Sequence, residues 1–115
     1  MNKTNTKGFM WAWLDDDGVH VNQAETLGAI INDVIDVYIS GSNCNVKQNN
    51  DDLIIEFSSD CREIVDNIDL PFKKNKNNTI SFKVKANGID VARFLERVVA
   101  KCDNRADRFD IKEIN

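Results

Sequence analysis

The stretch FMWAWLDDDGVHV, Phe9 to Val21, has the pattern of a β-hairpin. The dipeptide Asp17-Gly18 tolerates the positive φ angles of a two-residue type I′ turn, so it predicts a turn between two short strands. Both faces of the first strand are apolar, with Phe9, Trp11 and Trp13 on one and Met10, Ala12 and Leu14 on the other. A strand with two apolar faces is expected at the centre of a sheet.

Two segments further along the chain have the spacing of amphipathic helices. In both, apolar residues recur at i, i+3, i+4, i+7, i+8 and i+11, which places them on one helical face. The first set is Leu27, Ile30, Ile31, Val34, Ile35 and Tyr38, and the second is Val91, Phe94, Leu95, Val98, Val99 and Cys102. Asn22, with Glu25 three residues later, is predicted to cap the first helix, and Asn87 to open the second.

Shorter segments predict further strands. Cys44 to Gln48 and Leu53 to Phe57 flank a polar turn and predict a second hairpin. Strict alternation of apolar and polar residues over Thr79 to Lys85 predicts a half-buried strand. Phe109 and Ile111 predict a final strand near the end of the chain.

A short third helix is predicted after Ser59 or Asp60, because either residue can cap it and Pro71 prevents it from continuing. Together the elements predict an α+β fold, with two amphipathic helices packed on one face of a mainly antiparallel sheet. The 115 residues fit one globular domain, 1–115, with 1–8 as a disordered N-terminal tail. The order strand, helix, strand recurs near both ends, and duplication of a βαβ unit stays open.

The composition predicts a cytoplasmic protein. Hydrophobic residues make up 42% and charged residues 30% of the chain, as in ordinary globular proteins. The longest apolar run has six residues, far fewer than a membrane helix needs, and no small-residue cleavage site follows it. The spacing of Cys44, Cys61 and Cys102 fits neither a disulfide framework nor a zinc cluster. The many asparagines suggest an AT-rich coding sequence, of bacterial or phage origin.

The aspartates of the first hairpin raise the question of a metal site. An EF-hand loop with Gly18 at its sixth position would have Ala24 at its twelfth, where a bidentate carboxylate is required. Asp15, Asp17 and His20 could bind a transition metal, but no further ligand stands at a known spacing. A solvated hairpin turn is the favoured interpretation, and neither a metal nor a cofactor is predicted.

Candidates for catalysis are equally sparse. Cys61 lies in the first turn of the predicted third helix beside Arg62, a setting that favours the thiolate. A nucleophilic role would need the single histidine, His20, as its base, and nothing in the sequence brings the two together. The five glycines form no phosphate-binding loop. We therefore expect a protein that is not an enzyme and has no catalytic residues.

Charge is divided unevenly along the chain. Residues 1–72 contain four basic and thirteen acidic residues, a net charge of −9, whereas residues 73–115 contain eleven basic and six acidic residues, a net charge of +5. The two halves account for the net charge of −4. Such asymmetry concerns binding partners more than the fold, because it sets the long-range field around a protein.

The acidic half predicts a surface that attracts a basic protein and binds it quickly. Its predicted contact residues are Asp33, Asp36, Asp51, Asp52, Asp60, Asp66 and Asp69. Trp11 and Trp13 are either core residues beneath a helix or an exposed aromatic contact for the same partner. Small acidic proteins that neutralise basic nucleases, such as immunity proteins and phage-encoded inhibitors, have this character. The sequence thus predicts a non-enzymatic, inhibitor-type protein that covers a basic partner such as a nuclease toxin.

The basic half supports an alternative. Arg93, Arg97 and Lys101 recur at i+4 intervals opposite the apolar stripe of the second long helix, which predicts a cationic stripe. The full set of predicted nucleic-acid contacts is Lys73, Lys74, Lys76, Lys83, Lys85, Arg93, Arg97, Lys101 and Arg105. This set predicts either a nucleic-acid-associated regulatory protein or a solvated surface that pairs with acidic residues. No membrane association is predicted, and the sequence leaves the oligomeric state open.

Overall fold

The chain forms two antiparallel sheets and two helices in a computed structural model that describes residues 8–15, 17–38, 44–57, 70–103 and 108–114. The strands are β1 (Gly8–Asp15), β2 (Gly18–Ala24), β3 (Cys44–Asn49), β4 (Asp52–Phe57), β5 (Lys73–Lys74), β6 (Ile80–Lys85) and β7 (Arg108–Ile114). The helices are α1 (Leu27–Tyr38) and α2 (Gly88–Asp103). The result is a mainly-sheet α+β fold.

The prediction of a single sheet with three helices is wrong. One sheet has the order β2-β1-β7 and the other the order β3-β4-β6-β5. Alternating apolar residues indicate which face of a strand is buried, but they do not identify its neighbour, and β1 pairs with β7 from the far end of the chain. No third helix occurs among the described residues, and the segment 58–69, where it was predicted, lies outside them.

Both helices connect one sheet to the other. The chain passes from β2 through α1 to β3, and from β6 through α2 to β7, so neither unit is a βαβ crossover within one sheet. The two helices contact each other; α1 packs on β2 and β3, and α2 packs on β6 and β7. A single cluster of buried apolar side chains runs from Trp11 on β1 to Phe82 on β6. The two sheets therefore share one core.

The apolar stripes of both helices are confirmed. Every stripe residue whose side chain is described is buried. The predicted cap of α2 is also confirmed, because Asn87 Oδ1 accepts a hydrogen bond from the Asp90 backbone N–H at 2.9 Å, and Asn87 Nδ2 donates to Asp90 Oδ2 at 2.7 Å. The predicted cap of α1 is wrong. Asn22 lies in β2, and Thr26 Oγ1 accepts the Ala29 N–H at 3.1 Å in its place.

Both predicted hairpins are present. In the first, Asp15 pairs with Gly18, so the turn lies between these two residues. The sequence had suggested Asp17-Gly18 as the central pair of the turn, and this detail is wrong. Gly18 begins β2 with a φ of 119°, a conformation that favours glycine. In the second, Asn50 has a φ of 59° in the turn between β3 and β4, which asparagine tolerates well.

The central position of β1 is confirmed, since the strand lies between β2 and β7. Only one of its faces is buried, however. Met10 and Leu14 point to the other face and are 40% and 45% exposed, beside Val19 and Val21 of β2. Of the predicted N-terminal tail, residues 1–7 lie outside the described residues, and Gly8 already belongs to β1. Neither described helix has the length and apolar character that crossing a bilayer requires.

Candidate functional site

A row of four stacked rings crosses the buried face of the three-stranded sheet. The ring centroids of Trp11 and Trp13 are 4.7 Å apart, as expected for neighbours on the same face of one strand. Trp13 also stacks on His20 of β2, with centroids 4.8 Å apart, and Trp11 stacks on Phe109 of β7 at 6.5 Å. The register places His20 directly opposite Trp13, whereas Phe109, also opposite Trp13, stacks diagonally on Trp11.

The two tryptophans differ in burial. Trp11 is 4% exposed and belongs to the core, whereas Trp13 is half-buried at its edge. The indole Nε1 of Trp11 is buried without a hydrogen-bond acceptor among the described residues. A buried donor left without an acceptor costs about 1–3 kcal/mol, and native proteins contain few of them. The edge of Trp11 is therefore a position where a bound acceptor would be stabilising.

Helix α1 adds two carboxylates beside these rings. Asp33 and Asp36 lie three residues apart, on neighbouring positions of the helix surface, and both are exposed. A cleft of about 280 Å³ separates them from the sheet. We call it the acidic cleft; its lining is Trp11, Trp13, Asn22, Asp33, Val34, Asp36 and Phe109.

The chemistry of the acidic cleft suits a cation with an apolar stem. None of the described residues that line it is basic, so its two carboxylates have no opposing charge within the cleft. Its volume is just below the range of about 300–1,000 Å³ typical of sites for small molecules and cofactors. One long side chain of a partner protein is a better match. Arginine combines a guanidinium that binds carboxylates with a planar group that packs beside aromatic rings.

The other predicted acidic residues are not part of this cleft. Asp51 and Asp52 lie at the β3–β4 turn, on the four-stranded sheet. There Asp52 is next to basic side chains, with carboxylate oxygens 3.4 Å from Lys85 Nζ and 3.9 Å from Lys83 Nζ. Asp60, Asp66 and Asp69 lie outside the described residues. The described part of the predicted acidic surface is thus divided between α1 and the four-stranded sheet.

The predicted basic residues are concentrated on the four-stranded sheet and α2. Lys73 and Lys74 form β5, Lys76 lies in the turn that follows, and Lys83 and Lys85 are on β6. Arg93 and Arg97 lie on α2 and line a groove together with the two β6 lysines. Lys101 is in the last turn of α2, where its side chain is not described, and Arg105 lies outside the described residues.

The structure describes only some of the metal and catalytic candidates from the sequence. His20 stacks on Trp13, and Asp17 is exposed in the hairpin turn. No three His, Cys, Asp or Glu side chains in the described ranges are close enough to share a metal ion. Cys61, the nucleophile considered from the sequence, lies outside these ranges, and Cys44 is a half-buried thiol on β3.

Three lining residues of the acidic cleft, Asn22, Val34 and Phe109, were not predicted as contact residues from the sequence. Asn22 and Phe109 reach it because β2 and β7 flank β1, with Asn22 opposite Trp11 and Phe109 opposite Trp13. Knowledge of the strand pairing would have identified both. No protein-family model, curated protein or solved structure matches this chain. Its function must therefore be inferred from the geometry of its own surfaces.

Proposed function

We propose that the protein is a non-enzymatic binding module that covers a basic protein partner through the acidic cleft. The observation that carries the proposal is the position of Asp33 and Asp36 in the same cleft as Trp11 and Trp13. The sequence suggested acidic and aromatic contacts separately. Their convergence gives a surface with the two components that recognise a basic side chain, which are negative charge and aromatic area.

The cleft suggests how such a partner is held. A guanidinium reaches Asp33 and Asp36 at the exposed rim, while its aliphatic stem packs against the half-buried Trp13. The rim carboxylates increase the association rate, and the buried contacts slow dissociation. This division is typical of inhibitors that neutralise a basic enzyme such as a nuclease toxin.

The test begins with affinity capture from the native host, followed by purification of the captured partner and measurement of its association rate. Asp33→Lys should slow association about tenfold or more at low salt, because it reverses the charge at the rim. Trp13→Ala should accelerate dissociation and leave the association rate nearly unchanged, since it removes packing and no charge.

Asp110→Lys provides the matched control. It changes the net charge by the same amount as Asp33→Lys, but Asp110 lies on β7, on the sheet face opposite the ring row. A general effect of net charge would make the two variants equivalent. Equal rates for Asp33→Lys and Asp110→Lys, or a captured partner that is acidic, would refute the proposal.

A further inference from the structure

A second surface has the opposite charge and is formed by different elements. Two depressions of about 560 and 380 Å³ adjoin on the four-stranded sheet and share Pro71, Phe82 and Lys83 in their linings. The first lies over the solvent-facing side of the sheet, and the second continues between β6 and α2. We call the pair the basic groove.

Basic side chains dominate this lining. The described basic residues are Lys47, Lys73, Lys83, Lys85, Arg93 and Arg97, and the acidic ones are Glu56 and Asp90. These described side chains together carry a formal charge of +4 in a protein whose net charge is −4. With Asp52, the acid nearest to Lys83 and Lys85, it is still +3. Such a local reversal creates a positive field that attracts anions despite the acidic pI of about 4.9.

Both acidic side chains in the lining have polar partners of their own. Glu56 Oε2 accepts hydrogen bonds from Asn75 Nδ2 at 3.3 Å and from Thr79 Oγ1 at 3.1 Å. Asp90 Oδ2 accepts from Asn87 Nδ2 at the start of α2. These carboxylates have structural partners in the β5–β6 turn and the α2 cap.

An aromatic ring stands among the cations. Phe72 is 39% exposed, and its ring centroid lies 6.0 Å from that of the buried Phe82. The sequence neighbour of Phe72 is Lys73, and both line the larger depression. Surfaces that bind single-stranded nucleic acids combine these two features, cations along the backbone and aromatic side chains on which bases stack.

We propose that the basic groove binds single-stranded nucleic acid. Lys83, Lys85, Arg93 and Arg97 contact successive phosphates, and Phe72 stacks on an unpaired base. An exposed ring among cations matches the combination of base stacking and phosphate contacts in single-strand binders, so a nucleic acid is favoured over an acidic protein. A single strand is favoured over a duplex, whose bases are already stacked. This site is separate from the acidic cleft, so it does not depend on the function proposed above.

The probe is a fluorescein-labelled 15-residue oligodeoxythymidylate, with binding followed by fluorescence anisotropy over a range of salt concentrations. Four phosphate contacts predict that log Kobs falls against log[salt] with a slope of about −3, since each contact on a single strand contributes about −0.7. Arg93→Glu should weaken binding on the order of tenfold and reduce the slope by about one contact. Arg108→Glu, the control, changes the net charge equally on exposed β7 and should have a much smaller effect.

The variant Phe72→Ala distinguishes binding of a nucleic acid from binding of another polyanion. It should weaken oligodeoxythymidylate binding by about 5- to 150-fold, the loss of one stacked base, and leave the salt slope unchanged. Polyglutamate should bind more weakly and be insensitive to this variant. The proposal is overturned if the oligonucleotide fails to bind in low salt, if polyglutamate binds as tightly, or if Arg108→Glu matches Arg93→Glu. Arg93→Glu gives an independent answer should Phe72→Ala not fold.

Discussion

The acidic cleft and the basic groove are built from different parts of the chain and differ in what surrounds their charges. Most of the acidic cleft comes from β1, β2 and α1, and its two carboxylates stand beside a wall of stacked rings. The basic groove comes largely from β6 and α2, and its cations surround one exposed ring and two acids with polar partners. The first can enclose a single cationic side chain, whereas the second can follow an extended anion.

This difference shows how a division of charge along a sequence is modified by folding. The net charges of −9 and +5 in the two segments predict two poles, and the two surfaces correspond to them only in part. Asp51 and Asp52 belong to the acidic segment, but the β4–β6 pairing puts Asp52 opposite Lys85. Strand pairing, and not position in the sequence, decides which charges become neighbours.

The largest predicted effect tests whether the two surfaces depend on one core. Phe82 lies beneath the basic groove, is 2% exposed, and has ring contacts with Phe57, Phe94 and Phe72. Phe82→Ala should lower the free energy of unfolding by about 3–5 kcal/mol, through lost burial and an unfilled cavity.

Tryptophan fluorescence measures the unfolding of the three-stranded sheet, because both tryptophans lie on β1, whereas Phe82 lies on β6 of the other sheet. In urea, the midpoints from tryptophan fluorescence and from far-UV circular dichroism should fall together in Phe82→Ala. A fluorescence midpoint that stays at the wild-type value would mean that the three-stranded sheet unfolds independently, and the view of a single shared core would be wrong.

The next effect concerns how closely each helix approaches a strand. A Cβ on Gly88, the first residue of α2, would stand 2.6 Å from the backbone oxygen of Ile111 on β7. Gly88→Ala should therefore cost about 1–3 kcal/mol, because the helix start or the strand must shift. The equivalent change at Gly28 of α1 would place a Cβ 3.4 Å from the Val46 side chain and 3.8 Å from Thr26 Oγ1, both at ordinary van der Waals distance.

Gly28→Ala is the matched control for this comparison. It removes backbone freedom from the unfolded chain and improves helix propensity, so it should be neutral or stabilising by up to about 1 kcal/mol. Thermal unfolding measures both variants. Equal destabilisation by the two substitutions would contradict the close approach of α2 to β7.

Local patterns in the sequence identified both long helices and both hairpins, but they did not identify the division into two sheets. The helix stripes, both hairpins and the Asn87 cap depend on residues within about eleven positions, so periodicity and turn chemistry identify them. The division into two sheets depends on the pairing of β1 with β7, about a hundred residues later. No local pattern specifies such a pairing. The shift of the first turn by one residue shows that even a correct hairpin leaves its register open.

Local sequence patterns were also insufficient to predict which residues share a cleft or are exposed. The sequence predicted Asp33 and Asp36 as contact residues and left Trp11 and Trp13 as either core or contact residues. That the four line one cleft follows from the position of α1 beside the three-stranded sheet. The outer face of β1 illustrates the opposite error. Met10 and Leu14 suggested burial on both sides, yet the two helices pack on only one side of this sheet. An apolar side chain is not evidence of burial by itself.

A smaller effect is expected when one acidic residue is neutralised beside the basic groove and another at the acidic cleft. Asp52 is the acid closest to the lysines of the basic groove, and the side chains of Lys83 and Lys85 are largely exposed. Asp52→Asn should tighten oligodeoxythymidylate binding by up to about fivefold, since exposed ion pairs contribute about 0.2–1 kcal/mol. Asp33→Asn, which makes the same change at the acidic cleft, should leave this affinity unaltered. Equal tightening by both variants would indicate a response to net charge alone.

The smallest effect contrasts the outer face of the three-stranded sheet with the core of the protein. Val21 is 60% exposed on β2, so Val21→Thr should change the free energy of unfolding by no more than about 0.5 kcal/mol. Val98→Thr puts the same hydroxyl into the core between the sheets, where the valine is fully buried, and should cost about 1–3 kcal/mol. A loss of more than about 1 kcal/mol for Val21→Thr, measured in dilute solution, would mean that the outer face is covered there. A change near zero for Val21→Thr would show that this side chain contacts solvent on the outer face, since a hydroxyl costs little there.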